Sequence, residues 1–212
     1  MWGRSEAAPY ILGKPLGDRL SAPADLVVAV DDSGSTDSSG PSRWVQVREL
    51  LEWLELWGYR DRVAVLAFSG GDPLVVSPLE TPAEALTFLD QRKAVDSGGT
   101  AFSPTARVAR EILSESPAIG RQRAVVFITD GMSDQGDVTR ALQHLAGVPI
   151  WVFGLDRDGA WSNSKQFWGN VRGIPVYGDG KSIALAETQF LGNLTGQRLN
   201  APKRRPYELR KL

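Results

Sequence analysis

Residues 30–36, VDDSGST, follow directly on an apolar run that begins at Leu26. Chain leaving a strand in extended form projects residues i, i+2 and i+4 to one side, so Asp31, Ser33 and Ser35 converge. One carboxylate and two hydroxyls make a compact oxygen site. It suits a hard divalent cation of the Mg²⁺ type, which takes near-octahedral oxygen ligands at about 2.0–2.1 Å. Asp32 falls between them, and the period of two favours its pointing away. Two more oxygen donors stand at corresponding places in the chain. Asp130 ends the apolar run FITDG, and Thr100 lies in the glycine loop SGGTAFSP. Gly98 and Gly99 serve that loop and also let backbone approach an ion. Read alone, DDSGST is a polar turn capping the next helix; Thr100 and Asp130 together turn the balance toward a metal.

These residues need a scaffold that brings separate strand ends together. Short apolar runs alternate with helical patterns, the mark of a parallel sheet flanked by helices and hence of the α/β class. The expected strands are 25–30, 62–68, 73–77, 123–129, 149–155 and 173–178. Four read as continuous apolar, as strands buried on both faces do. A helix over about 42–57 carries Trp44, Val47, Leu51 and Leu54 at helical spacing, with Arg43, Arg48, Glu49, Glu52 and Glu55 on its other faces. Gly58 is a natural stop. Further helices are expected at 82–90, 104–114, 137–145 and 181–191, with Pro82, Pro104 and Asp137 as their starts where a start is marked. Only SGGD separates the second strand from the third, too short for a crossover helix, so these two form an antiparallel hairpin. Pro73 and Pro78 bracket the third strand and suit an edge. In doubly wound sheets ligands bind beyond the carboxyl ends of strands where strand order reverses. If strands one and four are neighbours, the donors meet there.

The bulk properties leave the recognition chemistry to this site. The chain of 212 residues has 42% apolar and 23% charged residues, ordinary globular usage. A net charge of −1 gives no reason to expect nucleic acid or an anionic membrane as partner. With no cysteine, disulfides, thiolate metal sites and cysteine nucleophiles are excluded. The opening MWGRSEAAPYILGKPLGD lacks the apolar core of a signal peptide, and no stretch approaches a membrane span, so the expectation is a soluble cytoplasmic protein. Residues 1–22 read as an extended N-terminal arm, 23–195 as the folded domain, and 196–212 as a basic, solvated C-terminal tail.

The DDSGS stretch, Thr100 and ITDG together resemble the metal-ion-dependent adhesion site of von Willebrand factor type A domains, whose pattern is Asp-x-Ser-x-Ser, then a distant Thr, then a distant Asp. The likeness runs from about Asp25 to Leu194. It implies a Rossmann-like three-layer fold with a six-stranded, mostly parallel sheet of order 3-2-1-4-5-6 and strand three antiparallel. It further implies Mg²⁺, or Mn²⁺ or Ca²⁺, with Ser33, Ser35 and Thr100 touching the ion and Asp31 and Asp130 orienting water. Neutral hydroxyls leave the ion's charge largely uncancelled, so it attracts a partner's Asp or Glu. Asp32 departs from many members, which carry an apolar or small residue there. Stand-alone intracellular bacterial relatives often work beside AAA+ ATPases of the MoxR type, or with kinases and phosphatases in stress and conflict systems, and the chain resembles that group.

The set contains no general base or positioned nucleophile, so the expectation is a binding module and not an enzyme. His144, the only histidine, falls at a predicted helix end where the dipole favours it, and no G-x-S-x-G elbow pairs with it. Trp44 and Trp151 read as core, and packing is also the reading for Trp161 and Trp168. A haloacid-dehalogenase-like phosphatase is the alternative, with Asp31 as nucleophile and Thr129, Asp179 and Lys181 in later motifs. It needs a second aspartate where Ser33 stands. A structural subunit with an unused metal site is the third reading.

Overall fold

In a computed structural model, six strands form one sheet: β1 (Ala24–Asp31), β2 (Arg62–Phe68), β3 (Leu74–Glu80), β4 (Gln122–Thr129), β5 (Ile150–Leu155) and β6 (Arg172–Val176). The structure describes residues 10–11, 14–15, 22–34, 43–56, 61–91, 98–116, 119–156, 159–176 and 180–195. The expected basic tail lies outside them. Of the expected arm, Tyr10 and Ile11 pair antiparallel with Pro15 and Lys14.

The sheet order is β3-β2-β1-β4-β5-β6, with every neighbouring pair parallel except β2 and β3. This is the expected order and the expected hairpin. The hairpin's third strand differs in extent: it runs through Pro78 to Glu80. Proline lacks the ladder's N–H, and an edge strand with register shifts opposite Val63, Val65 and Leu66 can absorb that loss.

Alternation along the buried strands feeds two cores. Leu26, Val28 and Val30 of β1 face helices α1 (Arg43–Leu56), α2 (Pro82–Gln91) and α6 (Gly180–Thr195). Val27 and Ala29 face α3 (Phe102–Glu115) and α4 (Gln135–His144). The parallel crossovers therefore cover both faces, as a sheet with continuous apolar strands requires. On α1, Arg43, Glu49 and Glu52 are buried along with the apolar stripe, so this is not a surface helix with one dry face.

α2 begins at Pro82 as expected, while two other helix starts are displaced from their markers. α3 begins at Phe102, which leaves Pro104 inside the first turn, where its missing N–H costs no helical bond. α4 begins at Gln135 behind Asp134, whose Oδ1 accepts from the Asp137 amide at 2.8 Å. A short helix α5 (Ala160–Ser164) and a 3₁₀ turn (Lys165–Trp168) fill a segment with no element expected. They carry the buried Trp161 and Trp168. Trp161 lies across the sheet where Gly154 and Gly173 leave a flat surface, and a Cβ on either glycine would collide with its ring. His144 is the exposed last residue of α4.

Candidate functional site

Strand register places the first carboxylate. Val30 pairs with Ile128, so the next residues, Asp31 and Thr129, come side by side on the α3 and α4 face. The Thr129 hydroxyl donates to Asp31 Oδ2 at 2.5 Å, and its own oxygen accepts from the Gly131 amide at 2.9 Å. Asp31 Oδ1 accepts from the Ser33 amide at 3.1 Å, and the Ser33 hydroxyl also bonds to the carboxylate. Asp31 is fully buried. Burial pushes its pKa up to about 6, partly opposed by hydrogen bonds from Ser33 and Thr129 and reinforced by the nearby negative charge of Asp130.

Asp130 follows β4 and turns its carboxylate onto its own loop, with Oδ1 accepting from the Met132 amide at 2.9 Å. Beneath it, Gly131 takes φ +75°, and a Cβ there would lie 2.8 Å from the Trp161 ring. The Ser164 hydroxyl donates to the Asp130 carbonyl at 2.9 Å. The α5 segment is thus the floor of the Asp130 turn.

Thr100 is brought in by three contacts. The Ala101 amide donates to the Ser69 carbonyl at 2.8 Å, tying the loop to the end of β2. A Cβ on Gly70 would meet the Gly99 amide nitrogen at 3.0 Å, so the glycines serve this backbone approach. Ser133 Oγ donates to the Thr100 carbonyl at 3.0 Å, joining the loop to the Asp130 turn. Phe102 then anchors the chain, its ring 5.3 Å from Phe68 and 4.8 Å from Trp168. Burying such a ring contributes roughly 2–3 kcal/mol.

Asp31, Ser33 and Asp130 adjoin at the rim, and the backbone of Thr100 is joined to the Asp130 turn through Ser133. Ser35, the remaining sequence candidate, lies outside the described residues. Asp32 turns to the α1 side, where its carboxylate binds Arg43 and Trp44. Two contributors escaped the sequence reading of this site. Thr129, named from the sequence only for the phosphatase alternative, bonds Asp31 instead. Asp137, expected as a helix start, reaches across to α3: its Oδ2 accepts from the Phe102 amide at 2.6 Å and its Oδ1 from the Ser103 amide at 3.1 Å. No pattern local to α4 could announce a cap for another helix.

The donor set fits a divalent cation. The charge of Asp130 is close enough to raise the cost of ionising Asp31, and hydroxyls stand beside Asp31. Among the described residues no group of three His, Asp or Glu side chains could hold a metal. A cation at this rim must draw on hydroxyl oxygens.

Fold and rim together define an open α/β sheet with an oxygen-donor site at its switch point, where β1 and β4 adjoin. The chain belongs to the von Willebrand factor type A domain family, whose model matches residues 26–133. No curated protein matches the sequence. Among solved structures it is similar to an aerotolerance-related membrane protein from Bacteroides fragilis at 23% identity and TM-score 0.63, covering 82% of this chain and 98% of that one. It is similar to BatB from Bacteroides thetaiotaomicron at 20% identity and TM-score 0.64, covering 82% and 100%. Proximal thread matrix protein 1 from the mussel byssus, with a zinc-occupied adhesion site, is 16% identical at TM-score 0.57, covering 83% of this chain and 48% of that one. At these identities the likeness establishes the fold. No helix among the described residues is long and apolar enough to cross a membrane.

Proposed function

We propose that the chain is a metal-dependent protein-binding module whose rim cation receives an acidic side chain from a partner. The observation that carries this reading is the meeting of Asp31, Ser33 and Asp130 at one rim, with the Thr100 loop tied beside them and the Asp31 pKa pushed up to about 6. Ser33 and Thr100, with Ser35, would hold Mg²⁺ or Mn²⁺ directly; Asp31 and Asp130 would orient its water. The bound ion supplies an electrophilic position for a carboxylate. Thr129 and the Ser33 amide keep Asp31 fixed, while Ser133 and Asp137 keep the Thr100 loop against the Asp130 turn. The folded module is residues 23–195, with 1–22 as an arm and 196–212 as a tail.

We assign the module to an intracellular bacterial assembly, as an adaptor for a MoxR-type AAA+ ATPase or a kinase and phosphatase system. Fractionation of the native host should find it in the cytosol. Recovery with membranes would instead align it with the aerotolerance-related membrane protein whose fold it shares. The test of the site is partner capture in Mg²⁺, in EDTA and with Asp31→Ala/Ser33→Ala. Binding should vanish in the last two conditions, and binding unchanged by either would overturn the proposal. The phosphatase reading is disfavoured because Ser33 occupies the second aspartate's place and the Thr129 hydroxyl is committed to Asp31. Mg²⁺-dependent phosphatase activity lost in Asp31→Asn would restore it.

A further inference from the structure

We propose that Asp32 is a positioning residue for the cation site: it ties the start of α1 to the end of β1 and so holds the connection that carries Ser33. The inference rests on the metal reading above. Asp32 Oδ1 accepts from Arg43 Nε at 3.1 Å, Arg43 Nη2 at 2.6 Å and Trp44 Nε1 at 3.1 Å. The ion pair is nearly dry, with side chains 8% and 7% exposed. On the other side the Asp32 amide donates to the Phe68 carbonyl at 2.8 Å. Its backbone is thus pinned to β2 and its side chain to α1. The flanking residues are the ones that matter to an ion, since Asp31 and Ser33 are joined to one another across it.

Alternation gives the division of labour. Asp31 and Ser33 turn to the site, and Asp32 turns to α1. A carboxylate receiving several charge-assisted bonds fixes geometry more tightly than a neutral turn residue could. Holding this neck sets where Ser33 presents its hydroxyl. The competing account is simple attraction, in which Asp32 adds negative charge beside the ion. The two accounts give opposite signs for Arg43→Gln. Attraction has the variant bind Mg²⁺ more tightly, because Asp32 is no longer neutralised. Tethering has it bind more weakly, because the neck is loosened.

The experiment is titration calorimetry of the full chain with MgCl₂ alone, alongside thermal melts in EDTA. Asp32→Ala and Arg43→Gln should each weaken Mg²⁺ binding by about 10-fold or more, the range for residues that support metal ligands. The double variant should be no worse than the weaker single, because both break one tether. Trp44→Phe, which keeps the bulk and removes one donor, should weaken binding by a smaller factor with an unchanged melt. If Asp32→Ala fails to fold, Asp32→Asn and Trp44→Phe carry the test. Tighter binding by Arg43→Gln, or wild-type affinity in Asp32→Ala, overturns the tether and leaves the cation site standing. No Mg²⁺ heat and no Mg²⁺-dependent melt shift in the wild type overturns both.

Discussion

β1 carries a fully buried aspartate near each end, and the two are treated in opposite ways. Asp25, at the amino end, accepts from Arg62 Nε at 2.9 Å and Nη2 at 2.7 Å, Arg121 Nε at 2.6 Å and Ser116 Oγ at 2.5 Å. Burial raises its pKa, but Arg62, Ser116 and Arg121 more than offset this, and the net shift is downward. Asp31, at the carboxyl end, has hydroxyls and an amide as its described partners, and burial with Asp130 nearby lifts it to about 6. Arginine partners thus hold Asp25 below its ordinary value, while burial dominates at Asp31 and holds it above. Guanidinium groups of the chain hold the carboxylate at one end, and hydroxyl and amide donors bond the one at the other.

Breaking the satisfied end should have the largest effect. Arg62→Ala/Arg121→Ala strands a buried carboxylate, and denaturant unfolding should report a loss of about 3–5 kcal/mol. The pH dependence of stability in EDTA sharpens the contrast. Asp31 has a folded pKa above its ordinary 3.8, so its contribution is fully present below that value and is lost as pH rises through about 6. The loss approaches about 3 kcal/mol at most, at 1.36 kcal/mol per pKa unit. Asp25 has the opposite sign: its contribution is present above 3.8 and disappears as pH falls through its lowered value. Asp31→Asn should flatten the higher-pH slope alone, and saturating Mg²⁺ should restore wild-type stability above pH 6. A slope unchanged in Asp31→Asn would place the titrating group elsewhere.

Two smaller substitutions refine the comparison. Asp137→Ala should cost about 1–2 kcal/mol through the lost cap of α3, and it should also weaken Mg²⁺ binding by releasing the Thr100 loop. Ser116→Ala should cost about 1 kcal/mol and raise the pKa of Asp25 in a carboxyl NMR titration, with Mg²⁺ affinity unchanged.

Much of this contrast could be read from residue order. The strand 62–68 was legible to the residue because RVAVLAF is an unbroken apolar run ended by glycines and a proline. The placement of Asp31 and Asp130 at neighbouring strand ends, with Ser33 turned to the Asp31 side, was legible because period-two geometry and strand-end placement are local rules. Asp32's turn toward α1 followed from the same alternation, but its partners did not, since Arg43 and Trp44 belong to the next described element. The Trp161 floor was not legible: α5 is too short to show a period, and the glycines that admit the ring are in other strands. Pro104 and Asp137 misplaced two helix starts because each residue type is also welcome one turn further in.

The cap that Asp137 supplies reaches beyond stability. A sheet of this kind aims the amino ends of its helices at the rim, and their roughly half-unit positive poles ordinarily make such places receptive to phosphate. Here the opening turn of α3 is closed by Asp137 and that of α4 by Asp134. Two side-chain carboxylates thus occupy the positive ends of two helices, and the pull those ends would exert on a phosphate is met within the chain.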